Sequence, residues 1–369
     1  LPAPICGYAE GCGGCTMCNY AGKGREPTIE DADEALNFII EHNEKANKKF
    51  GTRRAIFNIN VGGSWFNDKE IDPKVRNHIY QEVKRYQLKH PDELVVFVTE
   101  ARLDDLREED IKQMKEALGD EVIVEIGAGL ESSDFLIREG IVNKGLPEDW
   151  QEKITLLKKY DMEVALHVMF GLPFLNRRQA ISDAVSSVKD CINTTDTDTI
   201  ILMTMNQKPG TIPDYLARHE QYKLPSGLDL AEVLVRLGYE LEADDLKKVL
   251  AFGLKGPEEH TQVGVKFVVP ANKKNQVFKR RRRGWPGSQE DLQNLKKAAR
   301  QISDRSIFQK QTQEDYQPLS ISQEERSVLK ERIVNAYYRM AKVLYPVFKD
   351  KTFEKISATF KPLDPSAQY

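Results

Sequence analysis

The strongest constraint on how this chain folds is an alternation of short apolar runs with amphipathic segments, sustained from Arg54 to Met205. Arg54 to Val61 (RAIFNINV) has strand composition and ends at Gly62-Gly63, after which Pro73 to Tyr86 regains a helical period. Leu94 to Thr99, Val122 to Ile126, Glu163 to Phe170 and Thr197 to Met205 are further strand candidates. Helical segments such as Glu108 to Leu118 and Arg178 to Cys191 separate them. Ahead of the first strand, Thr28 predicts a cap for a helix over Ile29 to Lys49, with Glu30 and Asp31 in its first turn. Strands alternating with helices predict a parallel sheet, because each crossover returns the chain to the same end. The class is therefore α/β, a parallel barrel that need not close. In such a fold the loops after the strands carry the chemistry. Here those loops are Gly62-Gly63-Ser64, Glu100-Ala101-Arg102, Gly127 to Ser132, Gly171-Leu172-Pro173 and Asn206-Gln207.

The 369 residues suffice for one large barrel with an appendage. No apolar run approaches membrane-spanning length, and Leu1 to Ile5 lack the basic and apolar stretches of a signal peptide. A cytoplasmic protein with no membrane partner is expected. Beyond about Gly238 the pattern becomes mixed helix with one strand, Gly264 to Val269. Near the end a periodic helix over Gln323 to Phe348 is expected to pack on the barrel, with a dimer helix as the alternative. Residues 1–255 thus read as the barrel with its N-terminal loop and 256–369 as a mainly helical extension, with the change falling between Gly256 and Pro286. The net charge of −3 hides an unbroken basic run, Lys279 to Arg283, ahead of Trp285. Phosphate contacts plus a stacking ring are ingredients of nucleic-acid binding, and also of a plain solvated loop.

Of the five cysteines, four lie within Cys6 to Cys18 and only Cys191 lies elsewhere, which is unlike a disulfide framework. Cys191, on a helix, reads as a small buried residue. Cys6, Cys12, Cys15 and Cys18 are separated by five, two and two residues, among Gly7, Gly11, Gly13 and Gly14, whose backbones wrap readily around a compact inorganic core. Thiolates ligate iron–sulfur clusters, and a four-iron cluster held by three of them keeps one iron open for a small ligand. Zinc is the alternative, although zinc ribbons use two CxxC pairs with a long insertion between them.

The loop Gly14-Cys15-Thr16-Met17-Cys18-Asn19-Tyr20 resembles the cluster loop of radical S-adenosylmethionine (SAM) enzymes. The nearest subgroup is that of the archaeosine-synthesis radical SAM protein, with the Elongator catalytic subunit more distant. Later segments agree in order. Val61 to Trp65 resembles the subgroup's glycine-serine turn, Glu100 to Leu103 its Glu-x-Arg turn and Gly129 to Ser132 its GLE segment. Asn143-Lys144-Gly145, Phe170 to Leu175, Ala180 to Cys191, Asn206 to Thr211 and Tyr222 to Pro225 follow, so the likeness spans Cys6 to Pro225.

The resemblance implies a partial (β/α)6 barrel, a [4Fe-4S] cluster, and SAM bound at the open iron and cleaved to a radical that abstracts a substrate hydrogen. It places Gly62, Gly63 and Ser64 at the methionine part of SAM and Glu131 near the ribose, with Asn206 also on the cofactor side and Glu100 and Arg102 as catalytic residues. It implies an electron donor such as flavodoxin or ferredoxin, and as substrate either a tRNA nucleoside or a small metabolite. Cys6, Cys15 and Cys18 match the subgroup's ligand spacing, while spacing alone also permits Cys12 with Cys15 and Cys18. Two departures stand out. Gly256 to Gln262 lacks the further cysteines of archaeosine-type relatives, and Leu103 stands where proline is usual. A different class remains open, a non-catalytic RNA-binding or scaffold protein with a structural iron–sulfur or zinc site. Glu100, Arg102 and Glu131 would then be ion pairs at strand ends.

Overall fold

The computed structural model describes residues 1–252 apart from 3, 5, 13, 19–23 and 147, together with 264–266 and 318–344. Among them, seven strands follow one another in a single sheet: β1 (Arg54–Asn58), β2 (Leu94–Glu100), β3 (Val122–Glu131), β4 (Glu163–Phe170), β5 (Thr199–Thr204), β6 (Val249–Phe252) and β7 (Gly264–Lys266). The first six run parallel, and β7 pairs antiparallel with β6. Helices α1 (Gly7–Cys12) and α2 (Ile29–Phe50) precede β1. Then α3 (Pro73–Lys89) follows β1, α4 (Glu108–Leu118) follows β2, and α5 (Phe135–Ile137) and α6 (Trp150–Lys159) follow β3. Next, α7 (Arg177–Thr194) follows β4, and α8 (Ile212–Arg218), α9 (Gly227–Glu240) and α10 (Ala243–Lys248) lead from β5 to β6. The last described element is α11 (Gln323–Leu344). Six parallel strands in chain order with helical crossovers make a partial parallel (β/α)6 barrel.

Local chemistry explains the element ends. At α2 the Thr28 hydroxyl accepts from the Asp31 amide while the Asp31 carboxylate accepts from the Thr28 amide, and Gly51 closes the helix at φ +62°. In β1 burial alternates, with Ala55 and Phe57 inward. Its outer edge meets side chains of α2: Asn43 donates to the Ile56 carbonyl (3.2 Å) and accepts from the Ile56 amide (3.1 Å), and Asn47 accepts from the Arg54 amide (3.4 Å).

The chain divides into two compact units. The first comprises 1–129, 145–166 and 195–198, the second 130–144, 167–194 and 199–369. In the first unit, Trp65, Tyr80 and Phe97 meet edge-on or tilted, with Trp65 5.6 Å and Tyr80 5.8 Å from the Phe97 ring, and the Trp65 indole N–H donates to the Tyr80 hydroxyl at 2.6 Å. Burying each such ring contributes about 1.5–3 kcal/mol. In the second unit α7 buries Ala180, Ile181, Ala184, Val185, Val188 and Cys191 and packs against α9, which buries Val233, Leu234 and Leu237. Helix α11 buries Leu329 and Ile333 in this unit, pairs Arg326 with Asp134, and aims Arg332 at the Phe174 carbonyl (2.8 Å).

Three boundaries differ from the sequence reading. β1 stops at Asn58, short of Val61; the Ile59 amide still donates to the Val98 carbonyl at 2.9 Å before the chain bends at Gly62-Gly63. β3 runs on to Glu131, well past Ile126. Gly127 and Gly129 carry no side chain and so hide the strand from an apolar count, yet Gly127 still pairs with Glu100. β6 has four residues, too few to display a period. The expected domain change and the basic run Lys279 to Arg283 with Trp285 lie outside the described residues. No described helix is long and apolar enough to cross a membrane.

Candidate metal and cofactor site

Helix α1 begins one residue after Cys6, whose carbonyl accepts from the Glu10 amide at 3.0 Å. The loop then doubles back: at Gly14, φ is +76° and an added Cβ would lie 3.0 Å from that of Ala9. A turn closes Cys15 to Cys18, with the Cys18 amide donating to the Cys15 carbonyl at 3.0 Å. Cys6, Cys15 and Cys18 are half-buried and form no disulfide. Burial pushes the Cys6 thiol up, against the lowering effect of the Ala9 backbone, while the Glu70 charge adds to the rise. Among the described residues no three acidic, histidine or cysteine side chains stand close enough to hold a metal ion. The donor chemistry nonetheless fits an iron–sulfur cluster: three partly open thiols on one glycine-rich loop, with an arginine beside them.

That arginine is Arg102. It is buried, its guanidinium lies 3.8 Å over the Tyr8 ring, and it pairs with Asp104 at 3.0 Å. Burial alone would lower its pKa; Asp104, with Cys15 and Tyr8, outweighs that and raises it, so the charge is secure. Tyr8 in turn rests on Gly145, where φ is +68° and a Cβ would come 2.4 Å from the phenol oxygen.

The same unit contains the glycine-serine turn. Ser64 is fully buried; its amide donates to Glu70 Oε2 at 2.8 Å and its hydroxyl accepts from the Arg102 amide at 3.1 Å. The Trp65 amide donates to the Glu100 carbonyl at 3.0 Å. The turn after β1 is thus bonded to the turn after β2. Burial pushes both the Glu70 and the Asp105 carboxyl up, and Asp105 Oδ2 is buried with no hydrogen-bond partner among the described residues. Gly62 and Gly63 remain half-exposed, within reach of a ligand. Cys6, Gly63, Ser64 and Arg102 are therefore brought into one neighbourhood. The Glu100 side chain, at the end of β2, is exposed.

The second unit holds the other expected cofactor residues. Glu131 ends β3 buried, at φ +70°, a conformation uncommon outside glycine. Lys144 Nζ donates to its Oε1 at 2.9 Å, while Oε2 is buried without a partner among the described residues. Helix α7 steadies the segment that follows. The Ser132 hydroxyl donates to Asp183 at 2.6 Å, Ser187 accepts from the Ser133 amide at 2.9 Å, and Ser133 donates to Asp190 at 2.6 Å. Burial pushes the Asp183 carboxyl up to about 8. Asn206 lies half-buried just after β5. In this unit a cavity of about 670 Å3 opens at the end of β4, between Phe170, Phe174, Tyr222 and the cationic Arg177, Lys223 and Arg332.

Sequence reasoning missed Tyr8, Glu70, Asp105 and Asp183. Glu70 sits in a charged stretch, Asp68 to Asp72, that reads as surface, yet it is wholly buried. The available signal was Gly63, where an added Cβ would stand 1.8 Å from Glu70 Oε2.

No family model matches the chain. An uncharacterised protein of Methanocaldococcus jannaschii is 28% identical over 235 residues, 62% of this chain and 60% of its own. Archaeosine synthase subunit beta of Methanosarcina acetivorans is 28% identical over 225 residues, covering 60% of this chain and 61% of that one. The chain thus spans about 60% of the length of these relatives. Among solved structures, an N-terminally deleted Elp3 of Methanocaldococcus infernus aligns with a TM-score of 0.44 at 16% identity, over 63% of this chain and 55% of that one. A radical S-adenosylmethionine methyltransferase, TsrM, of Kitasatospora setae aligns with a TM-score of 0.41 at 12% identity, over 67% of this chain and 52% of that one.

Proposed function

We propose that the chain is a radical SAM enzyme acting on an organic substrate, either a tRNA nucleoside or a small metabolite. The observation that carries this reading is the joining of a three-thiol loop to the turns after β1 and β2 through Glu70, Ser64 and Arg102. Cys15, Cys18 and Cys6 would hold a [4Fe-4S] cluster, with Cys12 dispensable. When bound, the cluster supplies one electron to cleave SAM.

The residues of the chain have four tasks. Gly62 and Gly63 offer uncovered backbone to the methionine part of SAM. Glu131 would offer its Oε2, which has no partner among the described residues, to a ribose hydroxyl, while the bond from Lys144 to Oε1 holds the carboxylate in place. Arg102, 3.8 Å over the Tyr8 ring, would set a positive charge beside Cys15. Glu100, exposed at the end of β2, would meet the substrate. The cavity after β4, lined by aromatic residues, by Lys223 and Arg332, and by Arg177 paired with Asp229, would suit a substrate having a planar and an anionic part, as a nucleotide has. A soluble reductant such as flavodoxin or ferredoxin and a cytoplasmic setting, which keeps thiols reduced, complete the reading.

Anaerobic reconstitution with iron and sulfide is the test. A brown protein that releases 5′-deoxyadenosine or another SAM fragment when reduced supports the reading, and the mass of that fragment reports which carbon–sulfur bond is cut. A colourless zinc protein sinks it in favour of a structural RNA-binding module. Charge reversal across Arg280 to Arg283 separates the substrates: unchanged turnover argues against tRNA.

A further inference from the structure

We infer that Glu70 is a positioning residue that clamps the cysteine loop to the turn after β1, and that Gly63 is glycine in order to admit the Glu70 carboxylate. The inference rests on the proposed cluster reading for its consequence, though not for its geometry. Glu70 is fully buried, and its two oxygens are divided between two segments of the chain. Oε1 accepts from the Gly7 amide at 2.8 Å, across 63 positions, and Oε2 accepts from the Ser64 amide at 2.8 Å. Gly7 follows Cys6 directly, so the first bond fixes the backbone that carries the first thiol. Ser64 follows Gly63, so the second fixes the turn proposed to receive SAM.

The glycine requirement supplies the independent argument. Gly63 has no left-handed φ, so its backbone conformation is open to any residue. Space is what it provides: a Cβ there would stand 1.8 Å from Glu70 Oε2 and 2.6 Å from the carboxyl carbon. A methyl group at residue 63 and the carboxylate of Glu70 exclude one another. An ionised carboxylate suits two amide donors because both its oxygens accept. Glutamine has the same shape but turns an NH2 group against one of the two amides, and alanine abandons both.

The experiment uses the whole chain, metal-free and metal-loaded. In the metal-free protein, Glu70→Gln and Glu70→Ala should speed amide hydrogen exchange at Gly7 and Ser64 at least tenfold and accelerate iodoacetamide labelling of Cys6. Labelling of Cys18 and exchange within β2 should not move. Gly63→Ala should reproduce Glu70→Ala, and the double variant should be no worse than either single one. In reconstituted protein the variants should lose iron faster to EDTA and shift the electron paramagnetic resonance signal of the reduced cluster. Unchanged exchange at Gly7 and Ser64 in Glu70→Gln overturns the clamp. Equal damage from Gly63→Ala in the wild-type and Glu70→Ala backgrounds overturns the reason given for the glycine. Global destabilisation of Glu70→Ala is separated by thermal unfolding and by Glu70→Gln, which keeps the volume. The exchange measurements need no metal, so a chain that takes up no iron would overturn the proposed function and leave the clamp standing.

Discussion

Asp183 should make the protein lose stability as pH rises through neutrality, and Asp183→Asn should abolish that loss. The carboxyl is buried in α7, accepts from the Ser132 hydroxyl at 2.6 Å and has its pKa pushed up to about 8, by burial first and by the nearby Asp134 charge second, against the lowering bond from Ser132. In the unfolded chain it titrates near its ordinary value of 3.8. The folded state therefore binds the proton more tightly. Its contribution is intact below about pH 4 and is lost as pH climbs toward 8, since the unfolded chain gains from ionising while the folded one does not. Each pH unit inside that window costs at most ~1.4 kcal/mol. Between pH 5 and pH 7.5 the wild type should lose about 3 kcal/mol relative to Asp183→Asn, which keeps the acceptor for Ser132 and has no proton to lose. Denaturant unfolding of both proteins at half-unit pH steps measures the difference. Parallel pH profiles for the two, or a wild type that gains stability relative to the variant, would refute the reasoning.

Single Cys→Ser variants should separate the thiols: Cys15 and Cys18 each abolish iron retention, Cys6 lowers it severely, and Cys12→Ser retains most of it, as read by iron content per chain after reconstitution. Arg102→Ala should cost about 2 kcal/mol, from the lost guanidinium–Tyr8 stacking and an abandoned Asp104, with Arg102→Lys in between; equilibrium unfolding measures both. Trp65→Phe and Tyr80→Phe should each cost about 1–3 kcal/mol, because each leaves the other's buried polar group without its 2.6 Å partner. The double variant should cost less than their sum in a double-mutant cycle.

How far the sequence carries can be argued from particular residues. The strands were legible wherever branched apolar residues mark them, as in Leu94 to Thr99, and β3 was cut short where glycines erase the mark. Thr28 announced its helix because capping depends on residues three positions apart. That four thiols crowd into one loop was legible from spacing alone. Its supports were not: Glu70 reaches Gly7 across 63 positions, and Asp183 lies 51 from Ser132, so no local pattern links them. A charged side chain in a charged stretch reads as solvated until the fold buries it, as Glu70 shows.

The asparagines of α2 bear on how this protein behaves in a crowded solution. An open barrel leaves its first strand with a row of unused amides and carbonyls, an invitation for a strand from another molecule to add on. Asn43 answers the Ile56 amide and carbonyl together, as a neighbouring strand would, and Asn47 takes the Arg54 amide. Two side chains on a helix thereby act as a false strand, and the border of the sheet is finished from within the chain.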